Sequence, residues 1–399
     1  MANLNTKKGV IGILTGGGDV PGLNPAIRGV TIRALHEGYQ VIGFRHGWAG
    51  LVDMVREKDY DNSDNFLVLT QEVVDRAART GGTFLHSSRT NPGRVSKSSV
   101  PAHLKHSFSL EKNDLTSEVL KNLAWLGIDT LIPIGGDDTL SYGVRLHKEG
   151  FKVIAIPKTM DNDVPGTDYC IGFSTCVTRT LQLVNGLRTS AGSHERFMVI
   201  EVFGRYAGYT AMLPTMAGAA NRCVIPEYKF DIERLTELLV HDRNKNPSRY
   251  STVLVSEGAM FEGGEMVFES DTADAYGHKK LGGIGDIVSD KVKELSAKFN
   301  KGKTVEVVNQ KLGYLARCGD PDVVDSIVPM AYGNIALELL LRGEHGRLVV
   351  LHNGSYGNIP IETITATKKV VNIKEHYNTE RLRPQFSSFQ NKPLFIMGS

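Results

Sequence analysis

The stretch TLIPIGGDD, residues 130–138, decides the fold and raises the functional question together. An apolar run without polar alternation reads as a strand buried on both faces. It then ends in two glycines and two adjacent carboxylates. The same grammar recurs outward along the chain in GVIGILTGGGD (9–19), KVIAIPKTMDND (152–163), RFMVIEVFGR (196–205), STVLVSEGA (251–259) and RLVVLHNGS (347–355). Between these runs lie amphipathic stretches such as LNPAIRGVTIRALHEG (23–38), with Ile27, Val30, Ala34 and Leu35 at helical spacing. Strand alternating with helix predicts an α/β protein with a mostly parallel sheet. Ligands of such sheets bind beyond the carboxyl ends of the strands, where the Gly, Asp, Arg and Glu residues of these runs collect.

A chain of 399 residues accommodates two or three packed domains. Its 46 basic and 44 acidic residues nearly cancel to +2, which leaves no bulk field for nucleic acid or an anionic membrane. Anion binding is therefore expected to be local. Cys170, Cys176, Cys223 and Cys318 show no C-x-x-C spacing, which argues against zinc and a disulfide framework and favours reduced thiols in a cytoplasmic enzyme. The N-terminal apolar run enters a glycine loop too soon for a secretory signal. No segment is expected to approach the roughly 18 apolar residues of a membrane span. The polar stretch 91–114 lacks periodicity and is expected to be a solvated excursion, whose Arg94, Lys97, His103, Lys105 and His106 could otherwise gate an anion site.

Three constellations carry chemistry. In TGGGDVPGLNPAIRG (15–29), Gly16, Gly17 and Gly18 stand between strand and helix, as a phosphate cradle or as a tight turn without a ligand. In GGDD, Asp137 is the metal candidate, because magnesium takes one or two carboxylates together with water and phosphate oxygens. Asp138 could instead cap the following helix. In PKTMDND (157–163), Lys158 can hold a phosphate, and Asp161 and Asp163 would share a face if the segment stayed extended. One of them could accept a proton from a substrate hydroxyl, as phosphoryl transfer to an alcohol requires. A turn stabilised by Asx-type bonds is the alternative. Arg89, Arg196, Arg205 and Arg317 suit a ligand with more than one phosphate, and Glu257 could bind sugar hydroxyls or cap a helix.

These motifs resemble the phosphofructokinase family. The similarity runs in order through TGGGDVPGLNPAIRG, GGTFLHSSR, IGGDD, PKTMDNDVPGTDYCIGFSTC, SHERFMVIEVFGRYAG, VSEG and LGYLAR. It implies two Rossmann-like lobes, residues 1–172 plus about 316–366 for the phosphate donor and 173–315 plus about 367–399 for the sugar phosphate. The implied reaction moves phosphate to the 1-hydroxyl of fructose 6-phosphate, in a homodimer or homotetramer. Carried over by motif, Asp161 is the general base with Thr159, Asp163 and Arg205 beside it, and Asp137 serves Mg2+. Gly17, Arg89, Asp138 and Lys158 address the donor. Thr159, Asp161, Arg196, Phe203, Gly204, Arg205, Glu257, Tyr314 and Arg317 form the sugar-phosphate site, Arg196 reaching across a subunit boundary.

GGDD and PKT resemble the pyrophosphate-using branch, whereas ATP-using members usually read GGDG. A carboxylate at Asp138 would repel the α-phosphate of ATP by roughly 4 kcal/mol at about 4 Å and an effective dielectric near 20. Tyr314 also fits the pyrophosphate branch. The basic residue expected just ahead of the LG motif has no clear counterpart, Lys311 being the nearest. The competing readings are an ATP-dependent phosphofructokinase that tolerates Asp138 and a non-catalytic sugar-phosphate-binding subunit. The second should have lost Asp137 or Asp161, and both are present.

Overall fold

The computed structural model describes residues 8–273 and 276–390. The outer ends of the two expected lobes, 1–7 and 391–399, lie outside the described residues. Five strands, β1 (Val10–Thr15), β2 (Gln40–Phe44), β3 (Phe66–Leu69), β4 (Ile128–Gly135) and β5 (Ile154–Pro157), begin the larger sheet. A second sheet uses β6 (Phe197–Val202), β7 (Arg222–Val224), β8 (Ser251–Ser256) and, after a short antiparallel pair β9 (Phe268–Ala273) and β10 (Lys279–Leu281), β11 (Val307–Lys311). The chain then returns to the first sheet with β12 (Arg347–His352) and β13 (Ser355–Pro360). The orders are β13-β12-β5-β4-β1-β2-β3 and β11-β6-β8-β7. The second sheet is wholly parallel, and the first is parallel except for its edge strands β3 and β13. The fold is thus α/β with mostly parallel sheets, and all six apolar runs quoted above contain strands.

The helices that matter for the site follow strand ends. They are α1 (Leu23–His36), α2 (Asp137–Lys148), α3 (Phe173–Ser193), α4 (Tyr209–Met216) and α5 (Val323–Leu341). Helices α1 and α5 cross with backbones in contact. A Cβ on Gly29 would sit 2.8 Å from Met330 O, and one on Gly333 would sit 2.6 Å from Val30 N. Buried Asp325 ties α5 to the start of α3, accepting from Gly172 N at 2.7 Å and Thr175 N at 2.8 Å.

Two expectations are corrected. Helix α5 has 19 residues and is apolar enough to pass for a membrane span by length and composition. Asp325, Pro329 and Glu338 break up the run and disguise it in the sequence; the helix lies against α1 with Asp325 fully buried. The stretch 91–114 is folded rather than structureless: short 3-10 turns and a strand pair, 95–96 with 112–113, bury Val95, Val100 and Leu104 against the core on the larger sheet. Asn113 Nδ2 closes it by donating to Leu110 O at 2.6 Å. The apolar residues are too widely spaced there to show a period.

Candidate active site

The carboxyl ends of β1, β4 and β5 in one sheet and of β6, β8 and β11 in the other face a common cleft. A cavity of about 150 Å3 is lined by Gly17, Arg89, Asp137, Asp138, Lys158, Thr159, Asp161, Asp163 and Arg205 together. A larger space of about 1000 Å3 shares Gly17, Arg89 and Arg205 with it and adds Phe203, Glu257, Tyr314 and Arg317. Nearly every residue singled out from the sequence is therefore in one place.

The glycine loop works differently from a bare cradle. Gly16 N donates to Ile134 O and Gly17 N to Ser88 O, both at 3.0 Å, and α1 begins only at Leu23. What the missing side chains provide is room for cations. A Cβ on Gly17 would lie 3.3 Å from Lys158 Nζ, and one on Gly18 3.1 Å from the Arg317 guanidinium. Lys158 is only 4% exposed and donates to Gly18 O at 2.7 Å. Burial, with Arg317 nearby, pushes its pKa down to about 8, while Asp19, Asp137 and Asp163 pull the other way. Arg317 pairs with Asp19 and lies 5.0 Å from the Tyr314 ring centre and 5.9 Å from that of Phe203.

Asp137 and Asp138 open α2. It is Asp137 Oδ1 that accepts a helix N–H, from Asp138 at 2.9 Å. Asp138 turns to His278, whose Nε2 lies 3.1 Å from Oδ2. The capping role considered for Asp138 thus falls partly to its neighbour.

Residues 157–163 do not stay extended. Asn162 is left-handed at φ 56, accepts from Cys170 N at 2.7 Å and donates to Asp168 O at 3.0 Å. Asp161 N donates to Thr159 Oγ1 at 3.2 Å. The turn, not strand alternation, brings Asp161 and Asp163 into the cavity. Asp161 Oδ2 accepts only a long bond, 3.4 Å from Arg205 N, and its buried Oδ1 has no partner among the described residues. Burial, Asp163 and Glu257 hold its carboxyl well above the usual range. Burial and repulsion from Asp137 push Asp163 to about 6, against a hydrogen bond from Thr159. Glu257 rises to about 7, mainly through burial. No helix starts directly after it, so it caps none.

Gly204 (φ 122) lets the chain turn after β6 towards Arg205, whose Nη1 donates to Lys279 O at 3.0 Å. Lys311 lines the larger space but is held by Glu201 at 3.2 Å and by Glu269. Tyr314 is 75% exposed. Arg196 is not brought in: it precedes β6, whereas Phe203–Arg205 follow it, so six residues of strand put it roughly 20 Å away. Sequence reading missed Tyr276 and His278, which line the smaller cavity from the β9–β10 connection, and Lys369, buried beside Asp163. Tyr276 and His278 flank Gly277 in a polar segment that no unalternated apolar run precedes, and Lys369 stands in a short basic pair, so none of them fits the pattern of a strand end.

Among the described residues no group of three His, Cys, Asp or Glu side chains could hold a metal by itself. One exposed carboxylate, Asp137, beside a cation-lined cavity suits an ion that takes most of its ligands from water and substrate.

Two mostly parallel sheets, their strand ends facing one cleft lined with charged side chains, agree with the comparisons to known proteins. The phosphofructokinase family profile matches residues 10–340, and the chain belongs to the phosphofructokinase family. It is 34% identical over 372 residues to the pyrophosphate--fructose 6-phosphate 1-phosphotransferase of Amycolatopsis methanolica, covering 93% of this chain and 98% of that one. It is 36% identical over 356 residues to the ATP-dependent 6-phosphofructokinase of Chloroflexus aggregans, covering 89% and 91%. Among solved structures, the pyrophosphate-dependent phosphofructokinase of Nitrosospira multiformis matches 94% of this chain and 89% of its own, with a TM-score of 0.72 at 16% identity. That likeness speaks for the fold.

Proposed function

We propose that this chain is a pyrophosphate-dependent 6-phosphofructokinase, transferring phosphate reversibly from pyrophosphate to the 1-hydroxyl of fructose 6-phosphate to give fructose 1,6-bisphosphate and phosphate. Relatives named for either donor are about equally similar, so the choice rests on residues. The observation that carries it is a cavity of about 150 Å3 whose wall holds Asp138, Lys158 and Asp161 at once. That volume is below the roughly 300–1,000 Å3 of sites for drug-sized ligands. Asp138, being 35% exposed, is partly screened, so its repulsion of an α-phosphate falls short of the about 4 kcal/mol expected above.

In this reading the unpartnered Oδ1 of Asp161 accepts the proton of the 1-hydroxyl as its oxygen bonds to phosphorus and the bridging P–O bond breaks. Lys158, Arg89 and the Gly17 loop hold the donor. Asp163 and Thr159 shape the turn that carries the base, and Arg205 places it through its backbone N–H. Phe203, Gly204, Glu257, Tyr314 and Arg317 take the sugar phosphate. Mg2+, held by Asp137, would neutralise phosphate charge when bound. The lobes 1–172 with about 316–366 and 173–315 with about 367–399 then serve donor and sugar. In this reading the enzyme works in the cytoplasm as a homodimer or homotetramer, with Arg196, at the end of β6 away from Arg205, serving a neighbouring subunit's site.

The test is a purified-protein assay with fructose 6-phosphate, Mg2+ and either donor. Turnover with pyrophosphate, and pyrophosphate formed from fructose 1,6-bisphosphate plus phosphate, are expected. Activity with ATP alone overturns the donor assignment, and none with either overturns the enzyme.

A further inference from the structure

Lys369 lies beyond the family profile's span of 10–340 and is only 4% exposed. A buried ammonium is costly unless something offsets its charge. Its Nζ donates to Thr167 O at 2.6 Å and lies 5.5 Å from the Tyr209 ring centre. The carboxylates that act on it are Asp168 and Asp163, and Cys170 beside them is a buried thiol kept neutral, its pKa pushed up to about 12. It lines, with Asp137 and Asp163, a space of about 400 Å3 behind the catalytic turn.

The segment that carries Lys369 is fixed from the opposite side. Tyr209 Oη donates to Val370 O at 2.8 Å, and Val371 N donates to Glu227 Oε1 at 2.7 Å. That same Glu227 oxygen accepts from Gly208 N at 3.0 Å, at the start of α4. The main chain of 370–371 thus belongs to the second sheet's side, while the Lys369 head reaches the loop that follows β5. Thr167 sits four residues after Asp163, and Asn162 of the same turn is bonded to Asp168 O and Cys170 N. A pull on Thr167 is therefore felt at both aspartates.

We propose that Lys369 is a positioning residue for phosphoryl transfer: anchored to the second sheet's side, it holds the Asp161–Asp163 turn through Thr167 O and sets a cation against Asp163. The proposal rests on this turn being the catalytic one. Lys158 counters the carboxylates from the glycine-loop side, and Lys369 counters them from behind. Burial lowers the Lys369 pKa and the nearby acidic groups oppose that shift, so the ammonium and the carboxylates act on one another electrostatically.

The test compares Lys369→Met, Lys369→Gln and Lys369→Arg with the wild-type full-length protein, using whichever donor the wild type accepts. An error in donor assignment therefore leaves this comparison intact, and a wild type inactive with both donors removes its basis. Expected are a kcat lowered roughly 10–100-fold in the Met and Gln variants, KM values for both substrates within about threefold, and partial recovery of kcat in the Arg variant. The acidic limb of the kcat–pH profile should move to higher pH in the Met and Gln variants, because a cation facing the carboxylates is gone. Should Lys369→Met not fold, Lys369→Gln, which keeps a donor for Thr167 O, decides the matter. A folded Gln variant with wild-type kcat and an unmoved pH profile overturns the proposal. So does a loss in all three variants that tracks only their melting temperatures.

Discussion

His278 Nε2 lies 3.1 Å from Asp138 Oδ2, so a residue from beside the second sheet closes on the first turn of α2. Tyr276 Oη, two residues earlier, donates to Thr90 O at 3.0 Å on the other side of the cleft. This wall of the smaller cavity is therefore assembled from two distant parts of the chain, and Asp138 is one half of it.

Asp138→Gly should make ATP a usable but poor donor, because His278 and Tyr276 still line the cavity. Lys158→Gly should lower kcat/KM for pyrophosphate by about 10–100-fold, the worth of a charge-assisted hydrogen bond, with no gain for ATP. The positions share the cavity, so the double variant should exceed the product of the single effects with ATP. Measuring kcat/KM with both donors in all four proteins decides it. ATP use undetectable in Asp138→Gly and in the double variant alike removes the carboxylate as gate.

Asp161→Asn should lower kcat by about 10²–10⁴-fold and leave the KM for fructose 6-phosphate within a few-fold. It should also raise the melting temperature, since a buried carboxylate crowded by Asp163 and Glu257 is replaced by a neutral amide. A variant less stable than wild type would show that the carboxylate is better accommodated than its unpartnered oxygen implies.

Acidity acts on the site in two ways. With the Lys158 pKa at about 8, its ammonium is present below that pH and lost above it, so kcat/KM for pyrophosphate should fall as pH passes about 8. Asp163 at about 6 and Glu257 at about 7 are raised above their unfolded values, so each stabilises the fold at acid pH. That contribution is lost as pH rises from about 4 through about 6 and about 7 respectively. Melting temperatures of ligand-free protein in chelator should show a decline over this range that is weaker in Glu257→Gln. A decline unchanged in that variant would assign it to other groups.

The parallel strands were legible because runs such as TLIPI and VIAIP have one reading when no polar residue alternates. The site was legible where chemistry and strand end coincide in sequence, as at Asp137, Lys158 and Asp161. It was not legible where a residue arrives from a segment that no buried-strand run precedes, as with His278 and Lys369. The geometry of PKTMDND is hidden for a related reason: the left-handed Asn162 is fixed by Cys170 and Asp168, residues whose role depends on the fold. Arg196 lies within a recognised motif, yet motif membership does not say at which end of a strand a residue falls.

Arg196→Ala should raise the KM for fructose 6-phosphate at least 10-fold, although the residue is roughly 20 Å from its own chain's Arg205. The sharper measurement mixes Arg196→Ala and Asp161→Ala subunits under conditions that allow exchange. If sites are shared between subunits, turnover at low fructose 6-phosphate, which neither parent sustains, should return. No recovery in mixed oligomers of verified composition confines each site to one chain.

The small volume beside Lys158 and Asp138 also bears on inhibitor chemistry. A competitor built around an adenine ring meets mostly charged and polar side chains in the space of about 150 Å3 and would have to place the ring in the adjoining spaces of about 400 Å3 or about 1000 Å3. A compact, non-hydrolysable bisphosphonate matches both the size and the cations, and its bridging carbon is the natural place for a selectivity-conferring substituent directed towards His278.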